Sequence, residues 1–132
     1  MKLIALDYGS ARTGVAVSDA TGTLARPLGV VEQAGSDSGL ARIAELVAEH
    51  EAERVVVGLP LTMMGHHGEQ AVETEQFVRR LRETLDVPVE SFDERFTTDL
   101  AEQSGASVHA TDAVAAAHLL SSYLTWSSRA SR

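Results

Sequence analysis

An apolar run that ends in a carboxylate opens the chain. Ile4-Ala5-Leu6-Asp7 leads into a glycine-bearing reversal, Tyr8-Gly9-Ser10-Ala11, and then into a second apolar run, Val15-Ala16-Val17. Two short apolar runs joined by a few turn-forming residues fold most simply as neighbouring strands of one sheet. Asp7 then stands at the end of the first strand, on a rigid element, beside a turn that brings backbone close. A carboxylate so placed is a natural anchor for a divalent cation or a phosphate site, and the remaining sequence can be searched for acids that would join it.

The elements follow from hydrophobic spacing. Residues 2–6 form a nearly continuous apolar run, as in a strand buried on both faces. Residues 13–18 and 24–32 read as the second and third strands, separated by the turn cluster Asp19-Ala20-Thr21-Gly22-Thr23. Pro27 cannot donate to a ladder, so the third strand belongs at an edge or carries a bulge. Ser38 is the expected cap of a helix reaching about His50, with Leu40, Ile43, Leu46 and Val47 on one side. Residues 54–59, Arg-Val-Val-Val-Gly-Leu, read as a central parallel strand.

A loop over 61–68 carries Met63, Met64, Gly65, His66 and His67. A helix from about Glu69 to Leu85 follows, then a strand over 87–92 running into Asp93-Glu94-Arg95. Thr97 or Thr98 caps a short expected helix to Gln103. A loop over 104–110 leads to a last helix, capped by Thr111, from Asp112 to about Trp126, with 127–132 as a frayed tail. The pattern predicts an α/β domain over 1–132: a five-stranded mixed sheet, a three-strand antiparallel meander plus two parallel strands, with helices on both faces. Right-handed crossovers put the first strand in the centre.

Three acids then share one end of the sheet: Asp7, one of Asp93 and Glu94, and Asp112. Asp93 and Glu94 point to opposite faces by strand alternation, so only one can face Asp7. Clustered carboxylates repel, and a hard cation such as Mg²⁺, or Mn²⁺, removes that cost while sharing its site with a phosphate. Two such ions can stabilise the attacking and leaving oxygens of an in-line phosphoryl displacement. Each acid also has a plain structural role open to it. Asp7 can cap its turn; Asp112 suits any helix N-terminus; Glu94 with Arg95 can be a surface ion pair. Arg12, in the turn beside Asp7, can hold that acid or contact substrate. His66 and His67 are adjacent, not at the spacing of a helical zinc pair.

Composition narrows the class of partner. A formal charge of −8 argues against a broad electrostatic grip on nucleic acid. Ten of the eleven basic residues are Arg, which suits local bidentate phosphate contacts. The absence of cysteine excludes disulfides and thiolate-bound zinc and fits the cytoplasm. No apolar run approaches the roughly 20 residues that span a bilayer, and no membrane partner is expected.

Taken in order, Asp7-Tyr8-Gly9, Arg12-Thr13-Gly14-Val15-Ala16-Val17-Ser18-Asp19, Arg26-Pro27-Leu28-Gly29, Val56-Val57-Gly58-Leu59-Pro60-Leu61, Phe92-Asp93-Glu94-Arg95-Phe96-Thr97-Thr98 and Asp112-Ala113-Val114-Ala115-Ala116-Ala117 resemble the YqgF/RuvX family across nearly the whole chain. The resemblance implies an RNase H-like fold. It also implies a cytoplasmic nuclease linked to processing of the 5′ end of pre-16S rRNA, earlier described as a Holliday-junction resolvase. Residue by residue, it places the metal-binding catalytic acids at Asp7, Glu94 and Asp112. Arg12 and Arg95 are the substrate-binding candidates. The expected partner is precursor rRNA or branched DNA, and a homodimer would suit a two-fold junction. The alternatives are a junction resolvase proper, or a binding module of the same fold with a degenerate site. Here the stretch before Asp112 looks shorter than in relatives and lacks Lys and Arg, with only His109 over 104–111.

Overall fold

The computed structural model describes residues 1–61, 64–96 and 111–130. The helix expected up to Gln103, the 104–110 loop with His109, and Met63 lie outside the described residues. Among those described, the strands are β1 (Leu3–Asp7), β2 (Arg12–Ser18), β3 (Ala25–Glu32), β4 (Arg54–Leu59) and β5 (Val89–Asp93). They form one sheet in the order β3-β2-β1-β4-β5. β1 runs antiparallel to β2 and parallel to β4; β3 extends the antiparallel side and β5 the parallel side. The meander, the two parallel strands and the central position of β1 are those expected from the sequence.

Three helices, α1 (Asp37–Glu49), α2 (Glu69–Thr84) and α3 (Thr111–Ala130), cover the sheet. Strand alternation divides the core into two layers. Ile4, Leu6, Val15, Val17, Val55 and Val57 pack with Ile43 and Leu46 of α1 and Phe77 and Leu81 of α2. Leu3, Ala5, Ala16, Val56 and Phe92 pack on the other face with Ala116, Leu119, Leu120 and Tyr123 of α3. Because Leu3 and Ala5 face α3, Asp7, two residues on, faces it as well. The small side chains of the Ala115-Ala116-Ala117 run let α3 lie close to the strands, and Ala116 is fully buried.

α3 is tied down at its far end. The Tyr123 hydroxyl donates to Glu90 Oε2 at 2.7 Å and accepts from Arg54 Nη1 at 3.0 Å. Tyr123, Trp126 and Phe92 form an aromatic cluster with centroids 5.5 to 5.9 Å apart. This anchoring explains one departure from expectation. The tail expected to fray from Ser127 continues as helix to Ala130, since packing of an aromatic turn outweighs the modest helix propensity of serine.

Two smaller departures have local causes, while β3 is as Pro27 led one to expect. α1 is capped by Ser36, not Ser38: the Ser36 backbone is extended and its hydroxyl accepts from Gly39 N at 3.1 Å. Ser38 lies one residue inside the helix. β5 begins at Val89, after Pro88, which has no N–H to give a ladder. β3 is an edge strand and also bulged: Val15 pairs with Gly29 and Ala16 with Pro27, leaving Leu28 as the extra residue. No helix among the described residues is long and apolar enough to cross a membrane.

α3 reaches the sheet at Gly14 of β2, where a Cβ would overlap the backbone carbonyl of Asp112. Gly14→Ala is therefore expected to lower stability by about 1–3 kcal/mol through overpacking. Gly29→Ala, where a Cβ meets nothing within 4 Å, is the control with little effect. Urea denaturation of both variants checks this.

Candidate active site

β1, β4 and β5 are mutually parallel, so Asp7, Leu59 and Asp93 all finish at the same edge of the sheet, where open α/β sheets place their ligands. The chain turns away after β1 through Tyr8 and Gly9, after β4 through Pro60, and after β5 through a single 3₁₀ turn, Glu94–Phe96.

Asp7 is partly buried at this edge, and its ladder partner on β2 is Gly14. On the other flank, Gly58 of β4 faces α3 two residues after the buried Val56. A Cβ at Gly58 would stand 2.6 Å from Glu94 Oε1 and 3.1 Å from Leu119 Cδ2. The missing side chain at Gly58 is thus the seat of the Glu94 side chain, as the one at Gly14 is the seat of the Asp112 backbone. Sequence reasoning did not single out either glycine. The signal was available: each interrupts a β-branched strand run, where glycine marks a close approach of other groups.

The expected acids are brought together unequally. Glu94, not Asp93, turns toward Asp7, and the two carboxyl groups are hydrogen-bonded to each other. Burial pushes Glu94 up to about 7, helped by the negative charge of Asp7, their shared hydrogen bond and the charge of Asp93. Asp7 is also raised, first by burial and then by the charge of Asp112, while the bond from Glu94 works the other way. Both carboxyl groups are thus pushed toward their protonated forms, chiefly by burial.

Asp112 lies close enough to Asp7 to act through its charge, and its own partner is Arg12, with Nε 3.3 Å from Oδ2. Arg12 and Gly14 are two apart on β2, which puts the Arg12 side chain on the same face as the α3 N-terminus.

Asp93 is occupied elsewhere. Arg95 holds it through Nε, at 3.1 and 3.0 Å to its two oxygens, and through its backbone N–H at 2.9 Å. This contact keeps the Asp93 carboxyl below its usual range. The Arg95 guanidinium also lies over Gly65 of the β4–α2 loop. Arg95 thereby fastens the turn from which Glu94 projects. His66 and His67 are exposed in that loop, and His67 Nε2 is 2.7 Å from Glu75 Oε1 on α2. Tyr8 stacks on Phe77 with ring centroids 4.4 Å apart, which fixes the residue after Asp7.

Among the described residues no group of three or more His, Cys, Asp or Glu side chains forms a ready-made metal cage. Mg²⁺ does not require one, since it binds through one or two carboxylates, several waters and substrate phosphate. A hydrogen-bonded carboxyl pair at the sheet edge supplies that smaller set of hard oxygen donors.

The sequence family described as "RuvX: Holliday junction resolvase" matches residues 1–126. The chain belongs to the RuvX family. Among its relatives is the "Putative pre-16S rRNA nuclease" of Chloroflexus aggregans, 48% identical over 101 residues that span 76% of this chain and 71% of that one. A protein of the same name in Syntrophomonas wolfei is 36% identical over 132 residues, covering 94% of each chain.

Two solved structures are similar in fold. RuvC of T. thermophilus, in complex with a Holliday junction substrate, gives a TM-score of 0.57 at 18% identity over 96% of both chains. The fowlpox virus resolvase with its junction DNA gives 0.56 at 12% identity, over 96% of this chain and 98% of that one. The expected RNase H-like architecture is therefore that of this RuvX chain, which falls in a family of nucleases.

The carboxyl pair carries a pH signature. From the usual glutamate range near 4.5 up to about 7, folded Glu94 retains a proton that the unfolded chain has lost. Stability from this group is full at lower pH and declines as pH rises through that window. In the chelator-treated protein, denaturation midpoints are expected to fall from pH 5 to pH 8. Glu94→Gln, which keeps a donor at all pH values, should show a smaller fall; equal falls would contradict the raised Glu94 carboxyl.

Proposed function

We propose that this RuvX chain is a divalent-metal-dependent endonuclease that hydrolyses phosphodiesters in structured nucleic acid, with precursor 16S rRNA as its substrate and trimming at the 5′ end as its step. The observation that carries the reading is the Asp7–Glu94 pair: two carboxyl groups held together at the ligand-binding edge of the sheet, one pushed up to about 7. Such proximity disfavours the charged forms in the absence of a counter-ion, and perturbed carboxylates of this kind cluster where chemistry is done. The names of the curated relatives support the choice of rRNA.

Within that reading the chain's residues divide the work. Asp7, on the rigid end of the central strand, would be the principal ligand of a bound cation. Glu94 would join Asp7 in holding the ion, and Asp112 would complete the set from the first turn of α3. A bound Mg²⁺ or Mn²⁺ supplies Lewis-acid stabilisation of the attacking and leaving oxygens. Arg12 reaches these acids through its contact with Asp112. It is placed to meet a phosphate at the mouth, while Arg95 keeps Glu94 aimed inward through its hold on Asp93 and joins the substrate contacts at the rim.

A second substrate, four-way DNA, is favoured by the family description and by the likeness to RuvC.

Asp7→Asn is expected to lower cleavage by at least about 100-fold, the cost typical of removing one preorganised electrostatic group, with the fold unchanged by circular dichroism. The assay sets precursor rRNA beside four-way junctions, each with Mg²⁺, Mn²⁺ or chelator. Unaltered cutting by the variant, or cutting in chelator, would end this mechanism; the preferred substrate chooses between RNA and branched DNA.

A further inference from the structure

Arg12 is paired with the acid at the start of α3. Its guanidinium Nε is 3.3 Å from Asp112 Oδ2, and the two side chains are 53% and 29% exposed, so the contact opens to solvent on the Arg12 side. Asp112 is held at this height by the α3 backbone resting on Gly14, and Arg12 leaves the same strand two residues earlier. Asp7 and Glu94 lie against each other, joined by a hydrogen bond. Among the described residues, Asp112 alone of the three acids is paired with a cationic side chain, Arg12.

We propose that Arg12 is the internal counter-ion of Asp112 in the metal-free protein, displaced when a divalent cation arrives and thereby released toward the substrate phosphate. This rests on the metal-dependent reading of the site given above. A cation at Asp7 and Glu94 attracts the Asp112 carboxylate and repels the guanidinium, so the two positive groups compete for one acid. Arg12 has a long side chain, half exposed, on the rim of the acidic mouth. Once freed it has five N–H donors in a fork that matches a phosphate. Metal loading and substrate grip are thereby linked through a single side chain, and a chain of net charge −8 gains a phosphate contact only when the ion that neutralises its acids is present.

The test is a double-mutant cycle on full-length protein, read by calorimetric titration with Mn²⁺ alone. Arg12→Ala is expected to bind Mn²⁺ about two- to five-fold more tightly than wild type, the range an exposed charge pair is worth. In an Asp112→Asn background the same change should have a smaller effect, because the shared acid is gone. Unchanged or weaker binding in Arg12→Ala, or an equal gain in both backgrounds, would overturn the competition while leaving the metal site standing. Failure of every form, wild type included, to bind Mn²⁺ would overturn the metal reading and this proposal with it.

A second readout uses a four-way DNA junction and a precursor rRNA fragment, with Ca²⁺ present or absent. Wild type should bind more tightly with Ca²⁺, and Arg12→Ala should lose most of that increment. An increment kept in full by Arg12→Ala would contradict release of the arginine toward phosphate.

Discussion

Asp7 has glycine on either flank of its layer, and the site depends on that. Gly14 and Gly58 are the neighbours on β2 and β4 that face α3, and neither offers a Cβ. Through the first gap the backbone of α3 comes down onto β2; into the second falls the side chain of Glu94. Filling either gap would lift one acid away from the central carboxylate. The cost of the arrangement is electrostatic, since carboxyl groups in a partly buried space resist ionisation. The chain meets part of it with Arg12 against Asp112, and burial raises the Glu94 carboxyl to about 7.

The rest of the fold holds this edge in place. The parallel strands bring Asp7 and the turn after β5 to one end. α3 spans the sheet from the acids at its start to the Tyr123–Glu90–Arg54 network at the opposite end. The Asp93–Arg95 contact fastens the 3₁₀ turn, so that Glu94 is aimed by its neighbours on both sides. Stability is surrendered locally at the carboxyl pair and made up by packing on the two faces of the sheet, a division common to functional sites.

Much of this was legible in the sequence, for reasons that can be named. The β-branched run 54–59 and the apolar runs flanking Gly9 have the short spacing of strands, and the helices show their apolar faces, so the sheet order followed from connection rules. Asp7 and Asp112 stood out because each sits at an element boundary. Strand alternation alone left the choice between Asp93 and Glu94 open, and only the family resemblance pointed to Glu94. That choice depends on a single 3₁₀ turn and on Arg95 taking Asp93, both of which are tertiary outcomes of a few bonds. The α1 cap at Ser36 and the extension of α3 past Trp126 escaped for a similar reason: several serines compete for one capping role, and aromatic packing overrode propensity. The paired glycines were visible as residues, but their meaning lies in which side chains fill the space they leave.

The central claim is that the Asp7–Glu94 pair is a cation site. Anomalous diffraction from crystals soaked in Mn²⁺ near neutral pH tests it most directly. The account predicts a peak about 2.1 Å from an Asp7 carboxylate oxygen, with Glu94 as a second ligand and their mutual hydrogen bond gone. Mn²⁺ bound only at other positions, with that hydrogen bond still in place at saturating metal, would contradict it.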